Sequence, residues 1–274
     1  MKNARKGKIG FIGAGNMATA MVKGLTSCGL CAPDQLLASD SDESKIKTIS
    51  ETFGLLGSTS NRTLVRDCAV IVLSVKPQVI REVLEELKED FKNDHLVISI
   101  AAGIPIKMIQ AIIGSSIPVI RVMPNTPALI QKGISALAPG KTATPEHVDT
   151  AKVIFDAVGE TVIVQEDMMD AVTALSGSGP GFLFRIMESF VEAGERLGFD
   201  KEISRRLVIQ TFLGATQLAG ESGKTLSELR RMVTSPGGTT EAGLAVFADK
   251  NLEGLIQEVL EAAHRRGVEL GKKV

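Results

Sequence analysis

Tryptophan and tyrosine are both missing from this chain of 274 residues. Without a phenol there is no tyrosine proton donor, so the mechanism used by short-chain dehydrogenases is excluded. Histidine is scarce. His95 heads an apolar stretch, His147 falls in a surface-type helical pattern and His264 in a charged C-terminal pattern. None stands in a catalytic or ligating spacing, so each reads as structural or solvated. The three cysteines, Cys28, Cys31 and Cys68, make no even disulfide framework. Cys28-x-x-Cys31 lacks a second Cys or His pair, so the reading is reduced thiols in a cytoplasmic protein, with no metal. The formal net charge is −1, and no basic excess favours nucleic acid or an anionic membrane. No apolar run approaches the about eighteen residues of a membrane span. The segment Met1-Lys2-Asn3-Ala4-Arg5-Lys6 is charged, and the apolar run behind it is too short and glycine-rich for a signal peptide.

What is present begins with Lys8-Ile9-Gly10-Phe11-Ile12-Gly13-Ala14-Gly15-Asn16-Met17-Ala18. An apolar strand runs into Gly-x-Gly-x-x-Ala and then into a helical pattern, the context a dinucleotide turn requires. Gly13 permits the tight turn, Gly15 lets a pyrophosphate approach the backbone, and Ala18 lets the helix pack close. The anion would rest on unpaired N–H groups at the positive end of the helix. About twenty residues on, Leu36 to Asp40 read as a second strand whose end meets the adenosine ribose. Asp40 suits the 2′-hydroxyl of NAD and opposes the 2′-phosphate of NADP, whereas Ser39 tolerates phosphate. Lys45 and Lys47 are the nearest cations. The residues leave both cofactors open, with a lean toward accepting NADH.

The hydrophobic fraction of 44% is ample for a core, and the length allows two domains. Helical patterns over 16–28, 43–53, 78–91, 105–113 and 145–158 alternate with strands at 36–40, 55–59, 69–75, 96–100, 118–123, 133–138 and 161–165. That alternation predicts a mostly parallel, doubly wound sheet with ligands beyond the strand ends. Gly13, Ser39, Lys76, Ala101 and Asn125 stand at five such ends. Past residue 166 strands give way to helical patterns at 168–176, 180–197, 201–220, 226–234, 239–249 and 252–271. The expected fold class is therefore α/β: an N-terminal Rossmann-type doubly wound sheet over 1–166, then an all-α domain over 167–274. Leu207 to Ala215 is apolar on more than one face, and a helix of that kind must be buried. A second subunit is expected to cover it.

Two loops in the helical half are small, hydroxyl-rich and glycine-rich: Thr173 to Pro180, and Thr234 to Thr240. Both suit either a small carboxylate or phosphate, or ordinary helix capping.

At these loops the chain resembles the pyrroline-5-carboxylate reductases. The motifs run in order along nearly the whole length: Gly13-Ala14-Gly15-Asn16-Met17, Val75-Lys76-Pro77-Gln78, Ala101-Ala102-Gly103, Met123-Pro124-Asn125-Thr126-Pro127, Leu175 to Pro180 and Ser235-Pro236-Gly237-Gly238-Thr239-Thr240. The first is common to many dehydrogenases; the last two together are close to diagnostic. The resemblance implies reduction of the cyclic imine 1-pyrroline-5-carboxylate to L-proline with NADPH or NADH. It also implies a C-terminal dimerisation domain and a homodimer, in some members a decamer of five dimers. By position, the glycine turn, Ser39, Asp40, Asn61, Val75 to Pro77, Ala101 to Gly103 and Asn125 would serve the dinucleotide. Ser235, Gly237, Gly238, Thr239 and Thr240 would hold the substrate carboxylate. Thr173 matches a threonine near the imine nitrogen, where its hydroxyl is expected to donate a hydrogen bond. Lys76 is the second catalytic candidate, as proton donor, though its place at a strand end suits cofactor contact equally. Asp40 stands where many members carry a neutral residue, and Phe182 where many carry Tyr.

Two further readings differ in class. A β-hydroxyacid dehydrogenase of the same plan needs a lysine base in the helical half, and only Lys201 and Lys224 lie between the two loops, in charged surroundings. A non-catalytic dinucleotide sensor has no need of the 235–240 loop.

Overall fold

A computed structural model describes residues 7–272, and by packing the chain divides into two units. The first unit runs to Ser178 and takes back the chain from Ala263 onward; the second is Gly179–Ala262. Packing thus extends the first unit past residue 166, for a local reason: Met169 is buried against Ala136 and Ala138 of the sheet.

The first unit holds one eight-stranded sheet in the order β3-β2-β1-β4-β5-β6-β7-β8. Its strands are β1 (Lys8–Ile12), β2 (Leu36–Ser39), β3 (Leu56–Ser58), β4 (Cys68–Leu73), β5 (Leu96–Ser99), β6 (Val119–Met123), β7 (Gly133–Pro139) and β8 (Gly159–Ile163). All neighbours pair in parallel except β6 and β7. The 124–132 connection carries no crossover α-helix, so the chain returns antiparallel.

Helices cover both faces: α1 (Asn16–Ser27), α2 (Glu43–Phe53), α3 (Asn61–Asp67), α4 (Ile80–Leu87), α5 (Ile106–Ile113) and α6 (Pro145–Asp156). The central strands alternate their side chains between the two layers. Phe11, Val70, Val72, Ile98 and Ile120 join one core cluster with α1 and α6. Ile12, Ile71, Leu73, Val97 and Val119 join the other with α3, α4 and α5. Each such side chain, fully buried, contributes roughly 1.5–3 kcal/mol. After β8 come α7 (Met169–Val172) and a π-helical turn, Thr173–Gly177.

The second unit contains α8 (Gly179–Arg196), α9 (Lys201–Glu221), α10 (Leu226–Met232), α11 (Thr239–Asp249) and the first half of α12 (Leu252–Lys272). Phe190 of α8 meets Phe212 of α9 edge to face at 5.4 Å, and the Ser204 hydroxyl donates to Val191 O at 2.8 Å. Within the single chain α8, α10 and α11 bury no residue, and α9 buries only Ser204. Leu213 remains 56% exposed, with Leu207, Leu218 and Phe184 also open. No helix among the described residues is long and apolar enough to cross a membrane.

Candidate active site

The C-terminal ends of β1, β2 and β4 open onto a cleft of about 460 Å³ lined by Gly13, Gly15, Ser39, Asp40, Asn61, Val75 and Lys76. These are seven of the residues that the sequence nominated for the dinucleotide. Gly13 adopts φ +101°, and a Cβ there would stand 2.7 Å from Ser74 O. Only glycine fits that turn. A Cβ on Gly15 would meet nothing within 4 Å. Open space therefore lies where a pyrophosphate must come close. Thr19 N–H donates to Gly15 O, so Gly15 precedes the helix and the N–H groups of Asn16, Met17 and Ala18 lack intrahelical acceptors. The Met17 side chain packs against the core instead of lining the cleft.

Asp40 turns back onto this loop. Its Oδ2 accepts the Ala14 N–H at 2.9 Å, and its Oδ1 accepts Asp42 N–H at 3.0 Å. Ala14 thus directs its N–H at a side chain. Lys45 Nζ lies 3.4 Å from Asp40 Oδ1; the Asp40 side chain is 12% exposed and that of Lys45 48%. Lys45 Nζ reaches both oxygens, at 3.4 and 3.5 Å, so a ribose hydroxyl would take the place of one of these long contacts. Ser39, fully buried, donates its hydroxyl to Asn61 Oδ1 at 2.8 Å. That bond ties the end of β2 to the first residue of α3. The Ser60 hydroxyl caps α3 by accepting Thr63 N–H.

Sequence reasoning missed two residues here. Ser74 presents its hydroxyl to Ile12 O at 2.9 Å and Gly13 O at 2.7 Å, pinning the glycine turn to the end of β4. A lone hydroxyl in an otherwise apolar strand was its signal. Lys45 was seen only as a nearby cation; the structure makes it the ion-pair partner of Asp40.

Ala101, Ala102 and Gly103 follow β5, and Asn125 follows β6, as expected for strand ends. None of the four lines the cleft. Asn125 bonds inward: Oδ1 accepts Ile134 N–H at 2.9 Å and Nδ2 donates to Ser176 O at 3.2 Å.

Thr173 opens the π-turn, whose register is set by Ser178 N–H donating to Thr173 O at 2.8 Å. Such turns recur at functional sites. The Thr173 hydroxyl donates to Met169 O at 2.8 Å. This reverses the expected polarity, because a hydroxyl whose single proton is engaged presents lone pairs.

In the second unit Ser235 to Gly238 join α10 to α11, with Gly237 at φ +70°. Gly237 N–H donates to Glu241 Oε2 at 2.7 Å and Gly238 N–H to Ser235 O at 3.0 Å. Those two N–H groups are engaged. Thr239 and Thr240 occupy the first turn of α11, where N–H groups lack intrahelical acceptors. Two N–H groups and adjacent hydroxyls can receive a carboxylate there.

Comparison with known proteins covers both halves. Residues 166–270 match the family model described as pyrroline-5-carboxylate reductase dimerisation. Residues 8–103 match the one described as NADP oxidoreductase, coenzyme F420-dependent. A pyrroline-5-carboxylate reductase of Methanosarcina acetivorans is 41% identical over 266 residues, 97% of this chain and 98% of that one. The chain belongs to the pyrroline-5-carboxylate reductase family. Among solved structures, the family member from Coxiella burnetii superposes with TM-score 0.92 at 38% identity, covering 97% of this chain and 99% of that one. The pyrroline carboxylate reductase of Plasmodium falciparum, solved with NADP bound, gives 0.86 at 29% identity, covering 97% and 98%.

Proposed function

We propose that this chain reduces 1-pyrroline-5-carboxylate to L-proline, the last step of proline biosynthesis, with NADPH or NADH as reductant. The observation that carries the reading is the 41% identity to a named reductase over 97% of the chain. The cleft fits a dinucleotide on its own terms: open space at Gly15, donors at the start of α1, Lys45 and Lys76 on its wall.

A bound nicotinamide supplies the hydride. The protein's part is to bind, orient and hold a proton in place. The glycine turn seats the pyrophosphate, and Asp40 with Lys45 meets the adenosine ribose. Asp40 accepts from a 2′-hydroxyl; Lys45 balances a 2′-phosphate, which is why both cofactors are admitted. The first turn of α11 and the hydroxyls of Ser235, Thr239 and Thr240 receive the substrate carboxylate. Thr173, with its own proton given to Met169, accepts a hydrogen bond from the N–H of the protonated iminium. That form is already electrophilic, so no strong acid is required. Lys76 stands on the cofactor side of the cleft.

The second unit is a dimerisation domain in this reading, and the protein works as a homodimer or a decamer of five dimers in the cytoplasm. The open apolar faces of α8 and α9 support a partner copy. Three cysteines, which make no even disulfide framework, support a reducing compartment.

The test is oxidation of reduced nicotinamide on adding 1-pyrroline-5-carboxylate, run with NADH and NADPH in parallel. Turnover with either supports the reading. Silence with both, in protein that binds the dinucleotide, sinks it and favours another imine or a hydroxyacid.

A further inference from the structure

The π-turn that carries Thr173 has a specific defect in its hydrogen bonding. In a continuous α-helix Ser176 O accepts from the N–H of residue 180, but residue 180 is proline and has none. A half-buried carbonyl left without a donor is costly, which favours another group supplying one. Asn125 does: its Nδ2 donates to Ser176 O at 3.2 Å. Its Oδ1 is held in turn by Ile134 N–H, at the start of β7, at 2.9 Å. The two partners fix the orientation of the amide, since one is a donor and the other an acceptor.

Strand β6, which leads into Asn125, secures the other end of the segment. Arg121, 7% exposed on β6, pairs with Asp170 of α7 at 3.3 Å. Thr173 lies between Asp170 and Ser176, so two side chains four residues apart on one stretch of chain hold it from both sides. Gly177 packs under the same stretch: a Cβ there would meet Met123 Cε at 2.6 Å.

We infer that Asn125 is a positioning residue, one that acts through Ser176 O to hold the Thr173 hydroxyl in register for the imine, and that it does not bind the dinucleotide. This rests on the proposed reaction. It replaces the expectation that Asn125 contacts the cofactor. Both ends of its amide are engaged within the protein, and it does not line the cleft.

Two substitutions test it. Asn125→Ala removes both bonds. Asn125→Asp keeps the acceptor for Ile134 and removes the donor to Ser176, so it preserves the loop while losing the one bond at issue. The expected result is a kcat lowered about tenfold to a hundredfold in both, the size of loss a small misplacement of a reacting group causes. The dissociation constants for NADH and NADPH and the KM for the imine stay within about threefold. Amide hydrogen exchange over 173–178 speeds up in both variants, while exchange in β1 and β4 is unchanged. If Asn125→Ala does not fold, Asn125→Asp decides alone. Full kcat in Asn125→Asp overturns the inference. So does dinucleotide binding weakened tenfold or more with kcat intact, which makes Asn125 a cofactor contact. Exchange over 173–178 that matches the parent also overturns it. Should the parent protein fail to reduce the imine, the proposed reaction falls by itself, while exchange and dinucleotide affinity still decide what Asn125 holds.

Discussion

Replacing Asp40 by serine should move the chain from accepting NADH to preferring NADPH, and the structure sets the size of the change. Asp40 is tied on both oxygens, to Ala14 N–H at 2.9 Å and Asp42 N–H at 3.0 Å, so it cannot swing away from an incoming ribose. With NADH, the substitution removes a hydroxyl-to-carboxylate bond of about 2 kcal/mol. At roughly 1.4 kcal/mol per tenfold, that is a loss of about thirtyfold. With NADPH it removes a like charge. Two unit charges about 5 Å apart at an effective dielectric of about 20 repel by roughly 3 kcal/mol. Lys45, 3.4 Å from the carboxylate and half exposed, already offsets much of that. We take about 1.4 kcal/mol as the remainder, a gain of about tenfold. The lost bond to Ala14 weakens the loop for both cofactors alike and cancels from the ratio. The ratio of kcat/KM for NADPH over NADH should therefore rise about two to three hundredfold. The assay is initial-rate kinetics with each cofactor at saturating imine. A ratio that moves less than about threefold would refute the reasoning and place the ribose away from Asp40.

Other perturbations have equally definite outcomes. Lys45→Ala should lower kcat/KM with NADPH about fivefold to tenfold and leave NADH nearly unchanged, as parallel kinetics would show. Thr173→Val, which keeps the shape and removes the oxygen, should cut kcat about a hundredfold with unchanged dinucleotide affinity; retained turnover would end its proposed role. Asp170→Asn should cost about 2–3 kcal/mol in urea unfolding, because it leaves Arg121 charged and nearly buried beside a neutral amide. Leu213→Asp, on the open face of α9, should shift sedimentation toward monomer, and an unmoved dimer would put the interface elsewhere. Thiol labelling of the native protein should modify exposed Cys28 and spare Cys68, whose burial pushes its thiol up to about 12.

Much of this was legible in the residues because each local signal agreed with the global pattern. The helices at 43–53 and 239–249 fall where the helical pattern put them. The apolar, β-branched stretches at 69–75 and 96–100 are the central strands buried on both faces. Helix α3 escaped notice because its seven residues bury only Leu64 and Val65, too few to show a period. The π-turn was read as the end of a helical pattern at 168–176 and the start of a loop at 173–180, since one extra residue per turn barely alters a five-residue pattern. Pro180 was legible as a helix opener; what its missing N–H does to Ser176 requires knowing which side chain lies alongside. The same holds for the limit of the first unit. Met169 looks like the start of a helical half, yet its side chain belongs to a cluster with β7. Ala14, Asp40 and Lys45 illustrate the general limit: spacing put the first two after successive strands and left Lys45 as a nearby cation, but only the fold shows that the carboxylate closes back on the turn.

The central claim is hydride transfer to a cyclic imine, and the product reports on it directly. Protein would be mixed with 1-pyrroline-5-carboxylate and NADH or NADPH labelled with deuterium at the nicotinamide C4, one face at a time, and the amino acid analysed by mass spectrometry. The account predicts proline carrying deuterium at the former imine carbon from one of the two labelled faces only. Unlabelled proline, or no proline with both cofactors bound, would contradict it.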